Sequence, residues 1–288
     1  MANVPPVDRQ SEKKMNAAAA AVSAPERQNL RLMPCRHGSM LFPRGDMFIG
    51  RSLELYGEWS EGEVALFSDL LHPGDEVVEA GANIGTHTLA LARLVGPKGR
   101  VWALEPQRLT FQLLCANLAL NEIETVEAIH VAAGAAAGTT RIPHLGYGAH
   151  ANFGGVAIGG GEDSARVIAI DELPLARCRL LKVDVEGHEV ETLRGAARTI
   201  ARHRPILSVE DDRPDGHAGL MALLREYDYR AWWHRVPLFS AENFRRNPAN
   251  VFSTVVSINL LCLPRESTET LSLRLPEAPW EGRHIAAR

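Results

Sequence analysis

From Val77 onward, short apolar runs of β character alternate with stretches of helical spacing, and this alternation restricts the chain more than any other feature. Val77–Glu79, "RVWALEP", "VEAIHVAA", "CRLLKVDVEG", "RPILSVEDD", "YRAWWH" and "TVVSINLLCLP" read as strands. "GTHTLALARLV", "LTFQLLCANLALN", "EVETLRGAARTIARH" and "GLMALLREYD" read as helices. Strands separated by helices imply a mostly parallel sheet with helices on both faces. The last two strands lack a helix between them, so an antiparallel pair is expected at one edge. The expected class is therefore α/β and Rossmann-like, with a seven-stranded sheet. The Gly-rich stretch 134–168 reads as a hairpin or loop excursion. Residues 31–56 read as small strands or turns, and Ser60–Leu71 as a helix with a Ser60/Glu63 capping box.

The domain is expected to span 31–265, after an N-terminal arm at 1–30 and before a C-terminal tail at 266–288. The arm is expected to be flexible, with room for a short helix at Ala17–Val22. It lacks the compact apolar core of a signal peptide. No run of about 18 apolar residues occurs, which argues against a membrane span. A net charge of −4 argues against a nucleic-acid binder, which usually carries a basic face. Cys35, Cys115, Cys178 and Cys262 lie far apart with no CxxC pair and read as buried thiols in a reducing cytoplasm. Homo-oligomerisation stays open.

The turn after the first strand, "EAGANIG", lies where α/β sheets bind ligands, beyond the carboxyl ends of the strands. A dinucleotide turn would read G-x-G-x-x-G. Here Asn83 stands at the second glycine, and Glu79 precedes the turn, where it would repel a diphosphate. A cationic ligand without phosphate fits better, and S-adenosylmethionine has that chemistry. Glu79 would favour its cationic end, and Glu105, ending the second strand, would accept from the ribose hydroxyls. The glycine turn and helix N-terminus would receive its carboxylate through free N–H groups. A nicotinamide-dependent oxidoreductase is the less favoured reading, and a ligand-binding domain without catalysis is a third.

"YGEWSEGE", "GANIGTHTL", "ALEPQ", "LLKVDVEGHE", "LRGAARTI" and "SINLLCLP" resemble, in order and spacing, the FkbM-type family of S-adenosylmethionine-dependent methyltransferases. The resemblance covers roughly residues 40–264. It implies the methyltransferase version of the Rossmann-like fold and O-methylation of a small molecule or glycan, often at a sugar hydroxyl. Tyr56, Glu79, Gly81, Asn83, Gly85, Thr88, Glu105 and Ala132 are then the cofactor-binding candidates.

An alcohol is a poor nucleophile unless a base or metal helps it. "KVDVEGHE" puts Lys182, Asp184 and Glu186 at alternating positions at a strand end, and alternation sends them to one side. These three and His188 are the catalytic candidates. Asp184 with Glu210 or Asp211 from the neighbouring strand end could hold Mg²⁺ beside the acceptor hydroxyl. The aromatic segment with Trp232, Trp233, His234, Phe239 and Phe244, with Asn243 and Asn250, is the candidate surface for stacking on a sugar ring.

Overall fold

The computed structural model describes residues 29–270, 272 and 274–278. The expected N-terminal arm and its helix at Ala17–Val22 lie outside the described residues, apart from Asn29 and Leu30. A two-stranded hairpin comes first, β1 (Leu30–Cys35) and β2 (Gly38–Pro43), followed by helices α1 (Ile49–Leu55) and α2 (Glu61–Leu70). The main domain then runs β3 (Glu76–Ala80), α3 (Thr86–Val95), β4 (Arg100–Leu104), α4 (Arg108–Leu120) and β5 (Val126–Ile129). An excursion of three short strands follows: β6 (Ala132–Ala133), β7 (Gly138–Ile142) and β8 (Asp163–Ile168). The chain re-enters the main sheet as β9 (Leu180–Val183), α5 (Glu189–Arg194), α6 (Ala197–His203), β10 (Ile206–Glu210), α7 (Pro214–Glu226), β11 (Tyr229–Pro237) and β12 (Val256–Pro264).

The seven-stranded sheet has the order β11-β12-β10-β9-β3-β4-β5. Only β12 is antiparallel, pairing with both β10 and β11 one place in from the edge. β3 and β9 are buried along their whole length, as expected for strands covered on both faces. Side chains of α2, α3 and α4 cover one face and those of α5, α6 and α7 the other. Chain order reverses between β3 and β9, so a crevice opens beyond their carboxyl ends.

Three local readings change. "VEAIHVAA" is not one strand, because Ala132–Ala133 leaves the main sheet to pair with β8. "EVETLRGAARTIARH" is two helices broken at Gly195–Ala196. A Cβ at Gly195 would lie 2.0 Å from the Gly134 carbonyl oxygen, so the excursion presses against that break. The capping box does not form. Ser60 takes a left-handed conformation and its hydroxyl donates to Glu63 Oε1 at 2.7 Å instead of capping an amide. The tail is not loose where it is described, since Pro276–Ala278 lies along β11.

The hairpin is fastened by two asparagines four residues apart, Asn117 on α4 and Asn121 at its C-cap. Asn117 accepts from the Leu41 N–H at 2.6 Å and donates to the Leu41 and Ile84 carbonyls. Asn121 makes the same paired contact with Ser39. These amides act as a surrogate strand for the outer edge of β2. Among the described residues, no helix is long and apolar enough to cross a membrane. Asn117→Leu removes three hydrogen bonds of a buried side chain and should lower stability by about 2–4 kcal/mol. Urea denaturation measures the loss, and amide exchange should quicken at Ser39 and Leu41.

Candidate functional site

The turn from β3 into α3 depends on residues that accept positive φ: Gly81 at 89°, Asn83 at 50° and Gly85 at 90°. Gly81 also has no room for a side chain, because a Cβ would sit 1.7 Å from the Asp184 carbonyl oxygen. This close approach draws the ends of β3 and β9 together, and the Asp184 N–H donates to Ala80 at 3.0 Å. Each amide of the turn has an internal acceptor. Gly81 and Ala82 donate to Leu104, Asn83 to Glu105 Oε2 at 2.8 Å, Ile84 to Asn83 Oδ1 at 2.7 Å, and Gly85 to Ala82. The expectation that the turn itself offers free N–H groups is therefore corrected. Open amides begin at Thr86, His87 and Thr88, which have no acceptor within α3 and no capping side chain.

Glu105 at the end of β4 holds the turn. Its Oε1 accepts from the Gln107 N–H and the Thr110 hydroxyl, each at 2.8 Å. Burial raises its pKa, while these hydrogen bonds work against the rise.

Lys182 is 2% exposed, and its Nζ donates to Asp184 Oδ2 at 2.8 Å. Burial alone would lower its pKa, but Asp184, Glu79 and Glu63 outweigh burial and raise it. Burial likewise works against Asp184, and Lys182 wins, holding that carboxyl below its usual range. Glu79 accepts from the Thr88 hydroxyl at 2.6 Å. Burial pushes it up to about 7, against the pull of Lys182 and Thr88. Glu186 at φ 56° receives Arg213 at 2.5 Å, yet burial and nearby Asp184 push it up to about 7. Burial, Asp184 and Glu186 raise Glu210 well above the carboxylate range. Asp184, Glu186 and Glu210 each place a carboxylate oxygen within 4.8 Å of the others. Such a group can share protons or hold one divalent cation.

One cavity collects most of the residues singled out from the sequence. Glu79, Gly81, Asn83, Glu105, Ala132, Lys182, Asp184, Glu186 and Glu210 line it. Five other candidates lie off its wall. Thr88 supports Glu79 from behind, and Gly85 caps α3. Tyr56 is buried with Leu238 and Phe252, its hydroxyl donating to Ala249. His188 stands at the start of α5. Asp211 turns away from the other acids and meets His217 Nδ1 at 2.6 Å, so Glu186 takes its place in the acidic group.

The aromatic segment is also largely structural. Trp233 stacks on His217, Phe239 meets Tyr56 edge-on, and Asn243 is tied to Ser240 and Asn247. Asn250 donates to Ser253, and Trp232, His234 and Phe244 are likewise off the wall. The cavity's aromatic groups are Phe48, Trp59 and Phe153. Phe153 comes from the Gly-rich stretch, which Asp46 helps pin through a bridge to Ala151. Trp59 lies within "YGEWSEGE", but no local pattern marks Phe48 or Phe153, because the segments around α1, the excursion and the sheet meet only in the fold.

Glu79 carries a linkage. Its folded-state pKa of about 7 lies above the ordinary 4.5, so the folded protein keeps a proton that the unfolded chain loses. The resulting stability is fully present below pH 4.5 and is lost as pH rises through about 7. At 1.36 kcal/mol per pKa unit it amounts to roughly 3 kcal/mol. Glu79→Gln should flatten this part of the stability profile, read from urea denaturation at a series of pH values.

Residues 79–231, more than half of the chain, match the family model of the methyltransferase FkbM domain. Methyltransferase sdnD of Sordaria araneosa is 32% identical over 41% of this chain and 59% of its own length. The methyltransferase FkbM structure from Methylobacillus flagellatus KT is 21% identical, with a TM-score of 0.45 over 66% of this chain and 43% of that one. Cofactor-bound Rv0187 from MTB is 18% identical, with a TM-score of 0.45 over 90% and 92%. The chain thus spans less than two thirds of sdnD and of the Methylobacillus protein. With the matched segment running from Glu79 to Ala231, through the strand ends that line the cavity except those of β11 and β12, the chain belongs to the FkbM-domain family of methyltransferases.

Proposed function

We propose that the protein transfers a methyl group from S-adenosylmethionine to a hydroxyl oxygen of a small molecule or sugar. The observation that carries this reading is the pair Glu79 and Glu105 around a glycine turn whose amides are already used. A diphosphate would need those amides and would face two buried carboxyl groups. A ligand with sulfonium and ammonium charges instead offsets the excess of acid, Asp184, Glu79 and Glu63, around the buried cation of Lys182. When bound, the cofactor supplies an electrophilic methyl group on a good leaving group. The chain's own residues then have to orient the acceptor, exclude water and take its proton.

Asp184 is the best placed to receive that proton. It lines the cavity, retains partial access to solvent and lies beside Glu210, which can pass a proton on. Lys182 is a poor base because its partners keep it charged. Phe48, Trp59 and Phe153 offer apolar faces to the acceptor. The convergence of Asp184, Glu186 and Glu210 also favours a second version, in which the three hold Mg²⁺ against the acceptor oxygen. The buried thiols of Cys35, Cys178 and Cys262, with Cys115 free at the surface, fit a reducing cytoplasm.

Label transfer from S-adenosylmethionine to a panel of hydroxylated acceptors, with products identified by mass spectrometry, tests the reading. Binding of NAD without binding of S-adenosylmethionine would end it. Asp184→Asn should reduce turnover by about 10²–10⁴-fold while leaving cofactor affinity nearly intact. Activity that survives exhaustive chelation removes the ion, and activity lost and then restored by Mg²⁺ establishes it. A cation next to Glu79 should lower the pKa of that group and release its proton. Affinity for S-adenosylmethionine should therefore rise as pH increases through about 7. Calorimetry in buffers of different ionisation enthalpy should show the released proton, and Glu79→Gln should abolish it.

A further inference from the structure

The proposed methyl donor is asymmetric, with adenosine at one end and an α-amino acid at the other. Glu105 sits on the β4 side of the cavity, while Glu79 and Lys182 occupy its middle on β3 and β9. On the far side, towards β12, several buried polar atoms are left without partners, Glu210 Oε2 and His234 Nδ1 among them, and two of them belong to Glu63 and His87. Glu63 on α2 is 3% exposed. Its Oε1 accepts from the hydroxyls of Ser60 and Ser257, and its Oε2 is buried with no hydrogen-bond partner. His87 in the first turn of α3 is 4% exposed, and its Nε2 is equally unpartnered. The edge of Phe67 packs against the imidazole at 6.1 Å and fixes its place. Both residues line the cavity.

A buried carboxyl oxygen and a buried ring nitrogen without partners are costly unless a ligand completes them. The amides of Thr86 and His87 open in the same place. A ribose fixed at Glu105 sends the rest of the donor past Glu79 towards this corner. Resting on the S-adenosylmethionine reading, we propose that Glu63 and His87 form the subsite for the donor's α-amino-acid end. Glu63 Oε2 receives its ammonium. His87 Nε2 and the first-turn amides of α3 receive its carboxylate. Burial lowers the pKa of His87, and the neutral ring can still donate one hydrogen bond. Glu79, expected to favour the donor's cationic end, is left nearer the sulfonium.

Two ligands separate this subsite from the rest of the cavity. S-adenosylhomocysteine carries the amino-acid end, and 5′-methylthioadenosine keeps adenosine and sulfur without it. Dissociation constants of both are measured by calorimetry on the full chain, as wild type, Glu63→Gln and His87→Phe. Glu63→Gln keeps an oxygen for Ser60 and Ser257, and His87→Phe keeps a ring against Phe67. Each variant should weaken S-adenosylhomocysteine about tenfold or more, the worth of one hydrogen bond to a charged group. Each should leave 5′-methylthioadenosine within about twofold. Unchanged affinity for S-adenosylhomocysteine, or equal losses for both ligands, overturns the subsite while the cofactor reading stands. A wild-type protein that binds neither ligand overturns both.

Discussion

Three acidic groups draw on one buried ammonium at the floor of the cavity. Lys182 gives its hydrogen bond to Asp184, and the charge also acts on Glu79 and Glu63. A lone ammonium in an apolar sheet would be strongly destabilising, as would the acids without it. The strand ends of β3 and β9 can therefore be both apolar in their surroundings and ionic at their tips. That arrangement depends in turn on Gly81. The backbone of β9 approaches so closely that the Asp184 carbonyl occupies the space of a side chain.

The glycine turn shows how one motif shape serves opposite ligand charges. In a phosphate-binding turn the amides point outward and remain unsatisfied until the anion arrives. Here Leu104, Glu105, Asn83 and Ala82 consume them. What the turn offers instead is acceptors, and open backbone amides return along the first turn of α3. The order of chemistry along the crevice is acid, then acid with cation, then a carboxyl group beside an imidazole. That order is itself asymmetric, and it suits an elongated ligand with different ends.

The parallel sheet, the turn and the paired acids were legible because each is local. "EVVEA" is apolar enough to be a buried strand, and "GANIG" supplies the positive-φ positions immediately after it. What the sequence concealed came from contacts between distant segments. Asn117 looks like any polar residue in a helix, yet it completes a strand edge 76 positions away. "ETLRGAARTI" has unbroken helical spacing, and only the approach of Gly134 explains why it divides. Glu63 passed for half of a capping box, and His87 for a helix residue after the turn. Their joint place in the cavity wall depends on how α2 and α3 pack together. Asp211 and Asp212 differ by one position just beyond the end of β10, and only the second lines the cavity.

The C-terminal segment shapes how the molecule meets its neighbours. β11 is the outermost strand of the sheet, and an outermost strand ordinarily presents a row of unpaired amides and carbonyls. Here the Trp233 N–H donates to Pro276, the Ala278 N–H to Ala231, and Glu277 bridges to Trp232. The segment Pro276–Ala278 thus plugs the middle of that border, and a proline provides one of the plugging acceptors. A second copy cannot extend the sheet by adding a strand there without first peeling this segment away. Trimming the chain before Pro276 would expose an adhesive margin and favour self-association, although none of Pro276, Glu277 and Ala278 lines the cavity.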